Sequence, residues 1–409
     1  MKIAYITAKT PYGSGEQFIL PEILEIINKG NNVIIIPIRP DKYLAKGSEA
    51  EKVSKYSIYV SLLNINVIVK SLWIFIKSPI KVINIVFNIL KCSNSFKKIL
   101  KNISVLPKGL TTGEIIKKNK VEHIHAHWAS TPSTVAYIAS AISNIPWSFT
   151  AHRWDIAENN MLEEKARTAE FIRGIDEQGL SELASIINEK YRYKLNKIHV
   201  GININCRNRD NNFLYGNDNN FIIITPANLV LKKGHRYLIE ACKLLIKKGI
   251  TNFKCYFFGD GYLHEDLLIL IKEHNLEEYI SIKGQIPHNE LLNLYKNKNI
   301  DLIVLPSIVD KYGNKEGIPS ALTEAMAYGI PVISTNTGGI PELIGDGSGI
   351  MVNQKDPLAL ADAIEKLMKD SEYYKTIAEK GRKKVEDEFN VNKIAQELLN
   401  LFEINKKTN

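Results

Sequence analysis

Short apolar runs alternate with amphipathic stretches along most of the chain. Lys2–Ala8 and Val33–Ile38 have the length and continuous apolar character of buried strands, and a helical pattern lies between them, from about Glu16 to Lys29. The alternation starts again at Phe221–Thr225 and continues into the helical pattern of Tyr237–Lys248. This order predicts an α/β fold with two Rossmann-like parallel-sheet domains, which face each other across a ligand-binding cleft.

A polar stretch rich in Asn and Gly separates the two sets of elements, as is typical of a linker. We therefore predict an N-terminal domain over residues 1–200 and a second domain over residues 201–385. Within the first domain, Phe171–Tyr193 is predicted to be helical. The C-terminal residues 386–409 belong to a helical segment that is rich in Glu and Lys.

The chain has 409 residues, of which 45% are hydrophobic and 24% are charged, a normal composition for a globular protein with full cores. Its four cysteines have neither the paired spacing of a metal site nor the density of a disulfide framework, which fits a reducing cytoplasm. We see no signal peptide before the first strand and no apolar run long enough to span a membrane. These features predict a cytoplasmic location.

One segment carries the basic excess of the chain, whose net charge is +9. Residues 42–120 contain fifteen lysines and three glutamates, so their local charge is +12. Inside this segment, Leu62–Leu100 is apolar but interspersed with lysine, and Pro79 divides it into two candidate helices. Lysines together with Trp73 and Phe87 predict a helical hairpin in a membrane interface, on the inner face of the cell membrane. The alternative is two amphipathic helices packed on the domain's own sheet; the long aliphatic residues disfavour nucleic-acid binding.

The stretch Asp310–Glu342 combines a polar loop, a short helix and a buried strand. A helix that opens after Gly317, with Pro319 in its first turn, presents free N–H groups and a positive dipole end to an anion. Glu316 precedes this helix and Glu324 lies within it, roughly 8–12 Å further along. That separation fits the two hydroxyl-bearing rings of a nucleoside diphosphate sugar, and carboxylates accept hydrogen bonds from hydroxyls. The alternative is a solvated loop before an ordinary helix. The predicted donor-binding residues of the loop itself are Gly317, Ile318 and Pro319.

The sequence KEGIPSALTEAMAYGIPVISTNTGGIPELI resembles the donor-site signature of family 4 of the retaining glycosyltransferases, which have the GT-B fold. The family's two glutamates, separated by seven residues, fall on Glu316 and Glu324. Other matches extend the resemblance over nearly the whole chain, and the most similar enzymes are those of bacterial exopolysaccharide and capsule assembly. The resemblance implies that the C-terminal helix of residues 386–409 returns to the first domain, with Val391–Phe402 as the candidate segment.

The second domain shows further matches to this family. Lys232-Lys233-Gly234 matches its lysine-glycine phosphate clamp, which places Lys233 on the donor diphosphate. Five residues earlier, Asn228 stands where the family usually has arginine, so one positive charge expected on the diphosphate is missing. The family strip that contacts the nucleotide base is resembled by Gly284, Gln285 and Ile286.

In the first domain, PWSFTAHRWD matches the family's Thr-Ala-His…Asp pattern with His152 and Asp155. The imidazole of His152 can donate a hydrogen bond to a hydroxyl of the transferred sugar. VEHIHAHW places three histidines on one strand face, and the last of them, His127, is expected near the acceptor. We find no further ligand there for a zinc ion. The other two, His123 and His125, are expected to be partners within the domain, and a structural role is the alternative for His152.

The first strand leads into the loop Gly13-Ser14-Gly15. Phe18 occupies the third glycine position of a dinucleotide fingerprint, so that fingerprint is not satisfied and a dehydrogenase is disfavoured. In the resembled family a loop of this kind closes over the donor diphosphate and the acceptor. A plain strand-to-helix turn is the alternative.

The resemblance predicts transfer of a hexosyl unit from a nucleoside diphosphate sugar to an acceptor hydroxyl, with retention of the anomeric configuration. A lipid-linked saccharide in surface polysaccharide synthesis is the expected acceptor. The chain has no Asp-x-Asp motif, so we expect no cofactor and no metal, with Lys233 and backbone amides stabilising the leaving diphosphate. The alternatives are a GT-B epimerase or phosphorylase, and a non-catalytic sugar-binding relative, which Asn228 would favour.

Overall fold

The computed structural model describes residues 1–11, 16–40, 48–62, 64–204, 220–297 and 299–407. The chain divides into two compact units. The first consists of Met1–Gly201 and Val391–Asn409, and the second of Ile202–Asn390.

The first unit is built on one sheet of six parallel strands in the order β2-β1-β3-β4-β5-β6. Its strands are β1 (Lys2–Thr7), β2 (Asn32–Pro37), β3 (His123–His127), β4 (Trp147–Ala151), β5 (Ile172–Gly174) and β6 (Leu195–Lys197). The central strands are buried along their whole length because helices cover both faces of the sheet. The helices are α1 (Leu20–Asn28), α2 (Ser48–Ser54), α3 (Ile65–Lys77), α4 (Pro79–Cys92), α5 (Phe96–Ser104), α6 (Leu106–Lys118), α7 (Thr131–Ser143), α8 (Arg153–Glu158), α9 (Leu162–Thr168) and α10 (Glu177–Ile186).

The second unit repeats this architecture with a six-stranded parallel sheet in the order β12-β11-β10-β7-β8-β9. Its strands are β7 (Phe221–Pro226), β8 (Phe253–Phe258), β9 (Ile280–Gly284), β10 (Leu302–Leu305), β11 (Val332–Thr335) and β12 (Ile350–Val352). Its helices are α11 (His235–Lys247), α12 (His264–Glu273), α13 (His288–Lys296), α14 (Ser320–Ala327), α15 (Ile340–Ile344), α16 (Pro357–Lys369) and α17 (Ser371–Glu388). The α/β class with two parallel sheets, predicted from the alternation of apolar runs and helical patterns, is confirmed.

The last helix, α18 (Val391–Lys407), belongs to the first unit. It packs against α1, and its Phe402 is buried beside His123 of β3, with the two ring centroids 4.7 Å apart. Its apolar residues Ile394, Leu398 and Phe402 follow a helical spacing, so one stripe of the helix faces the core.

The prediction of a helix over Phe171–Tyr193 is wrong for its first residues. Phe171 is buried, and Ile172–Gly174 form β5, which pairs with β4 and β6. The helix α10 begins only at Glu177, where the side chain of Asp176 accepts a hydrogen bond from the Gly179 amide and caps it. A three-residue strand is too short to show period-two alternation, so the sequence pattern did not separate it from the helix.

The first predicted helix of the hairpin over residues 62–100 is α3, which bends by 110° into α4 at Ser78. The second predicted helix is wrong as a single helix, because α4 ends at Cys92 and α5 begins at Phe96 after the N-cap Ser95. Among the described helices, none is by itself long and apolar enough to cross a membrane, and only the bent pair α3–α4 reaches that length and composition together.

Candidate functional site

The two lysines of the predicted phosphate clamp lie in a short 3-10 turn, Leu231–Lys233, between β7 and α11. Gly234 ends this turn with a positive φ of 69°. A Cβ atom at Gly234 would lie 1.9 Å from the carbonyl oxygen of Pro306, which follows β10. Only glycine fits there, and its absent side chain lets the lysine turn pack against the carboxyl end of the sheet.

Both lysines contact Glu316. Lys233 donates a hydrogen bond of 2.9 Å to one carboxylate oxygen, and the Lys232 ammonium lies 3.2 Å from the other. The Glu316 residue is only 6% exposed. Burial raises the pKa of Glu316, but the charges of Lys233 and Lys232 lower it by more, so the pKa lies below its usual value. A buried carboxylate thus holds two ammonium groups at one place.

The loop at Gly338-Gly339 closes this cluster from another side. A Cβ atom at Gly338, whose φ is 62°, would lie 1.9 Å from the carbonyl oxygen of Glu316. A Cβ atom at Gly339 would lie 2.9 Å from the carbonyl carbon of Gly317 and 3.0 Å from the backbone nitrogen of Ile318. The two glycine-containing loops therefore fix the backbone on both sides of the Glu316 carboxylate.

Pro319 does not lie in the first turn of the helix, as predicted, but is its N-cap, with extended backbone angles. The helix α14 begins at Ser320, and Pro319 accepts the hydrogen bonds of the Leu322 and Thr323 amides through its carbonyl group. Gly317 and Ile318 precede it in irregular structure. The N-terminus of α14 thus starts directly after the Glu316–Ile318 segment and carries the positive end of a helix dipole.

Glu324 lies in α14, and its carboxylate is 3.1 Å from Nε2 of His288. His288 is the first residue of α13, two positions after the last residue of the predicted base-contacting strip. In this strip Gly284 has a φ of 72°, Gln285 is exposed and Ile286 packs on the core of the unit. The structure therefore brings Glu324 close to the segment 284–286.

Asn228 is exposed just after β7. The positive charge that an arginine would add at this position is absent, but Lys232 supplies a second ammonium group at Glu316. Sequence reasoning placed only Lys233 at the clamp. The neighbouring Lys232 was visible in the sequence, but its approach to Glu316 depends on the turn that Gly234 terminates.

In the first unit, a buried carboxylate that sequence reasoning missed organises the carboxyl edge of the sheet. Glu16 accepts hydrogen bonds from the backbone amides of Ala8, Lys9 and Thr10, which follow β1, at 3.2, 2.5 and 2.6 Å. It also accepts from the indole N–H of Trp128, which follows β3. Glu16 therefore ties together the ends of two neighbouring strands. Its position directly after the glycine loop was the only signal in the sequence.

Four aromatic rings cluster beside Glu16. Nε2 of His152 lies 2.8 Å from Nε2 of His127, so one ring donates to the other, and the ring of Trp128 packs on His152 with 4.3 Å between centroids. Phe18 contacts both histidines edge-on. Trp128 has a φ of 102°, a backbone conformation that a bulky residue adopts only when its surroundings hold it.

Burial keeps both histidines of this cluster neutral. It lowers the pKa of His152 to about 3, with Arg173 contributing repulsion, and lowers the pKa of His127 well below its usual value. Each neutral ring can donate one hydrogen bond and accept another. The pair can therefore position a hydroxyl group without carrying charge.

Asp155 holds the backbone around His152 rather than pointing to a free ligand position. One of its carboxylate oxygens accepts from the amides of Ala129 and His152. Burial raises the pKa of Asp155 to about 7 in spite of these donors. Nearby, the buried Lys165 donates to the carbonyls of Ala129 and Ser130, and burial lowers its pKa to about 7.

The other two histidines of β3 are partners within the domain, as predicted. His123 and His125 share the hydroxyl of Ser148 at 2.8 Å each, and His125 also contacts the hydroxyl of Thr150 at 2.9 Å. Within the described ranges, no cluster of three or more His, Cys, Asp or Glu side chains could hold a metal ion. The predicted loop Gly13, Ser14 and Gly15 lies outside the described residues.

Residues 208–384 match the model of a protein family described as glycosyl transferases group 1. The Escherichia coli (strain K12) protein WcaL, named as a colanic acid biosynthesis glycosyltransferase, is 38% identical over 183 residues, which are 44% of this chain and 44% of that protein. AmsK of Erwinia amylovora, named for amylovoran biosynthesis, is 35% identical over 182 residues, with 44% of each chain covered. CapM of Staphylococcus aureus, named for capsular polysaccharide biosynthesis, is 31% identical over 191 residues, 45% of this chain and 46% of CapM. Each of these alignments thus spans less than half the length of either protein.

Solved structures match almost the whole chain. The structure of Anabaena Alr3699/HepE in complex with UDP has a TM-score of 0.69 at 16% identity and covers 98% of this chain and 99% of that one. A glycosyltransferase from Rickettsia africae ESF-5 has a TM-score of 0.66 at 21% identity, with 98% and 97% covered. The resemblance based on the Glu316–Glu324 motif is confirmed. The chain has the GT-B fold, and its residues 208–384 match the family model of glycosyl transferases group 1.

Proposed function

We propose that this protein transfers a hexosyl unit from a nucleoside diphosphate sugar to an acceptor hydroxyl. The observation that carries the proposal is the cluster of Lys232, Lys233 and Glu316, which two close glycine approaches hold at the carboxyl edge of the second sheet. Open α/β sheets bind their ligands at this edge. The cluster lies in the region that matches the glycosyltransferase family.

The paired lysines suit a diphosphate. Each ammonium group has three donors, of which Glu316 accepts one from Lys233 and forms an ion pair with Lys232, so further donors remain for phosphate oxygens. Because Glu316 fixes both side chains, little reorganisation is needed when negative charge builds on the departing diphosphate. The structural neighbour HepE is described in complex with UDP and with UDP-glucose, which supports a nucleotide-sugar donor here as well.

Glu324 and the segment 284–286 fit the other end of the donor. A carboxylate on α14 beside the exposed Gln285 segment can accept hydrogen bonds from ribose hydroxyls, while the backbone of the segment contacts the base. Glu316 would then contact hydroxyls of the transferred sugar. Lys232 offsets the charge missing at Asn228, so an active donor site is the favoured interpretation over a non-catalytic one.

Retention at the anomeric carbon is part of the proposal, by front-face substitution in which the leaving phosphate accepts the acceptor proton. We assign His152 to the orientation of a sugar hydroxyl, and we assign His127 to holding the His152 ring in place. Each neutral ring can both donate and accept a hydrogen bond. The two fixed ammonium groups would supply the positive charge that a divalent metal ion supplies in other transferases, so no metal is required.

We further propose that the acceptor is a lipid-linked saccharide of bacterial surface polysaccharide synthesis, used at the cytoplasmic face of the membrane. The names of WcaL, AmsK and CapM, which refer to colanic acid, amylovoran and capsular polysaccharide biosynthesis, support this assignment. The basic and apolar helices α3 and α4 support a membrane location.

Mass spectrometry of the purified protein with a panel of nucleoside diphosphate sugars and saccharide acceptors tests the proposal. We expect nucleotide release and a glycosylated acceptor for at least one donor. Glu324→Ala should cost about 2–4 kcal/mol of transition-state stabilisation, or about 30- to 1000-fold in kcat/KM. Glu277→Ala, an exposed glutamate of the same unit, is the matched control and should leave kcat/KM unchanged.

Two results would contradict the proposal. Conversion of the donor sugar in the absence of any acceptor would indicate an epimerase. Full activity of Glu324→Ala would remove that residue from the donor site.

A further inference from the structure

The surface of helices α3, α4 and α5 is unusually apolar. Among the described residues, 23 large apolar side chains are exposed, and 13 of them lie between Ile65 and Leu100, each 42–74% exposed. They are Ile65, Ile68, Val69, Leu72, Trp73, Phe75, Ile76, Ile80, Ile83, Phe87, Leu90, Phe96 and Leu100. Soluble monomers rarely expose contiguous apolar patches of this kind unless the patch binds something.

These exposed side chains do not contribute to the hydrophobic core of the first unit. One stripe of α3, which includes Val67 and Ile74, is buried, and so is one stripe of α4, at Val82, Ile85 and Ile89. Ile74 and the α4 residues join the same core cluster of the first unit. The opposite faces of both helices are also apolar, although an amphipathic helix packed on its own sheet would be polar there. Those outer faces therefore remain to be covered by something else.

The charges on this surface have one sign. The segment between Glu51 and Glu114 contains no Asp or Glu residue, while α3, α4 and α5 carry seven lysines. These lysines are Lys70, Lys77, Lys81, Lys91, Lys97, Lys98 and Lys101. Lys77 lies over the ring of Trp73 with its ammonium group 3.4 Å from the ring centroid, a cation–π contact that places a positive charge within the apolar surface.

We infer that α3, α4 and α5 form a docking surface for an anionic lipid bilayer, with the helices lying in the interface and not spanning it. The lysine ammonium groups match the phosphates of lipid headgroups, and the Trp, Phe, Ile and Leu side chains between them match the acyl chains. A second copy of the chain fits worse, because a self-complementary contact would place the seven lysines of one copy against those of the other. Lysine is also depleted at the cores of protein–protein interfaces.

The surface continues to the aromatic cluster of the first unit. Lys101 of α5 pairs with Glu158 of α8 at 2.5 Å, and its ammonium group lies 5.9 Å from the ring centroid of Trp154. Trp154 is 54% exposed and packs on Trp128, which in turn packs on His152. The bilayer would thus reach the edge of the cluster that contains His152. This step rests on the proposed function: if the acceptor is lipid-linked, it reaches His152 along the membrane plane.

Vesicle flotation tests the surface independently of catalysis. The intact protein should float with vesicles that contain phosphatidylglycerol and bind vesicles of phosphatidylcholine alone much more weakly, and salt should weaken the binding. The lysine variant should lose about a hundredfold in affinity. It combines Lys70→Gln, Lys77→Gln and Lys91→Gln. Its matched control in the second unit combines Lys247→Gln, Lys272→Gln and Lys296→Gln, all exposed, and should bind as the unchanged protein does.

A second pair of variants tests the apolar contribution, and because the substituted residues are exposed, folding should be preserved. The surface variant should lose at least about tenfold in affinity. It combines Ile76→Ser, Ile80→Ser and Phe87→Ser. The control, whose substituted side chains are also exposed apolar ones, combines Leu268→Ser, Ile269→Ser and Leu358→Ser and should float normally.

Tryptophan quenching by brominated lipid locates the contact. Trp73→Phe should still bind but lose most of the quenching, and adding Trp154→Phe should remove a smaller further part. Equal quenching in Trp73→Phe and in the double variant would exclude Trp154 from the surface.

Two results would overturn the inference. One is normal flotation of both the lysine variant and the surface variant. The other is a dimer of the unchanged protein that the surface variant abolishes, because the occupant would then be a second copy. Transfer to a water-soluble acceptor, measured on the same variants, separates the two proposals. Lost flotation with intact transfer supports the surface, whereas absent transfer with intact flotation contradicts only the proposed function.

Discussion

Single buried carboxylates organise both candidate sites, and Glu16 is the one whose role is easiest to isolate. Among the residues that the structure describes, the hydrogen-bond partners of its side chain are N–H or O–H donors: the amides of Ala8, Lys9 and Thr10, the Thr10 hydroxyl and the Trp128 indole. A carboxylate has acceptor sites only, so it satisfies such a ring of donors, whereas an amide would turn its own N–H₂ group toward them.

We therefore predict that Glu16→Gln lowers the free energy of unfolding by about 1–3 kcal/mol and releases the side chain of Trp128 from its position. Urea denaturation measures the first effect and near-ultraviolet circular dichroism the second. Glu51→Gln, at an exposed position of α2, is the control and should change neither. An unchanged tryptophan signal in Glu16→Gln would show that other contacts hold Trp128 in its left-handed conformation.

At the residue scale, the sequence was a better guide to the identity of the site residues than to their contacts. It identified Glu316 and Lys233 and gave them separate ligand roles, but the structure joins them across 83 positions of the chain. The pairing follows from burial, since a carboxylate removed from water needs either a cation or several hydrogen-bond donors nearby, and Glu316 has the two lysines. Burial at Glu316 depends on the loop at Gly338 and on the turn at Gly234, which the sequence pattern does not place in space.

At the element scale, the packing of the lysine turn against β10 depends on the absent side chain of Gly234. Gly249, which follows α11, also has a positive φ, of 79°, but nothing lies within 4 Å of the Cβ position there. Comparing Gly234→Ala with Gly249→Ala separates the cost of the positive φ angle from the cost of the close approach to Pro306. We expect Gly249→Ala to cost about 1–2 kcal/mol of stability, which is the angle alone.

Gly234→Ala should cost about 1–3 kcal/mol more than Gly249→Ala, because the added methyl group must push the Pro306 carbonyl away. It should also weaken binding of a nucleoside diphosphate, because it displaces Lys232 and Lys233, whereas Gly249→Ala should not. Chemical denaturation and calorimetric titration with the nucleotide measure the two effects. Equal stability losses in the two variants would contradict the close approach.

The short strand β5, which the sequence pattern assigned to a helix, is fixed by a buried ion pair. Arg173 donates to Glu22 of α1 at 2.5 Å and also to the carbonyls of Ile198 and His199. Both charged side chains are almost completely buried. The pair connects positions 151 residues apart, so no local pattern could indicate it.

Arg173→Met should lower the free energy of unfolding by about 3–5 kcal/mol, because it leaves the carboxylate of Glu22 buried without its cation. Arg236→Met is the matched control, since Arg236 forms an exposed pair with Glu240, and it should cost no more than about 1 kcal/mol. Adding Glu22→Gln to Arg173→Met should recover part of the loss, which a double-mutant cycle in urea measures. No recovery would contradict the ion pair as the source of the stability.

At the scale of the whole molecule, periodicity alone predicted two parallel sheets with helices on both faces, because buried strands and amphipathic helices have distinct patterns. It could not predict the stripes of α3 and α4 that face the core, since apolar residues occupy both faces of these helices. Nor could it predict that α18 packs beside β3, where Phe402 contacts His123, because the two residues lie far apart in the sequence.

Buried histidines are unevenly divided between the two units, which gives the last prediction. Burial lowers the pKa of His123, His125, His127 and His152 in the first unit, and of His235 in the second. The unfolded chain binds protons at these groups near pH 6.5, but the folded chain does not, so stability is lost as the pH falls below about 6.5. Burial raises the pKa of Asp155 to about 7, so this group has the opposite effect and cancels one proton of the first unit.

Unfolding of the first unit should therefore take up about three protons near pH 5.5 and that of the second unit about one, or about 4 and 1.4 kcal/mol per pH unit. As the pH falls, the first unit should therefore lose stability more steeply than the second. All four tryptophans belong to the first unit, so tryptophan fluorescence reports its transition, while far-ultraviolet circular dichroism reports both units. Replacing His123 by Gln should reduce the pH dependence of the fluorescence transition by about one proton, because Gln does not titrate. Coincident fluorescence and dichroism transitions at every pH would mean that the buried histidines do not control the acid stability of the first unit.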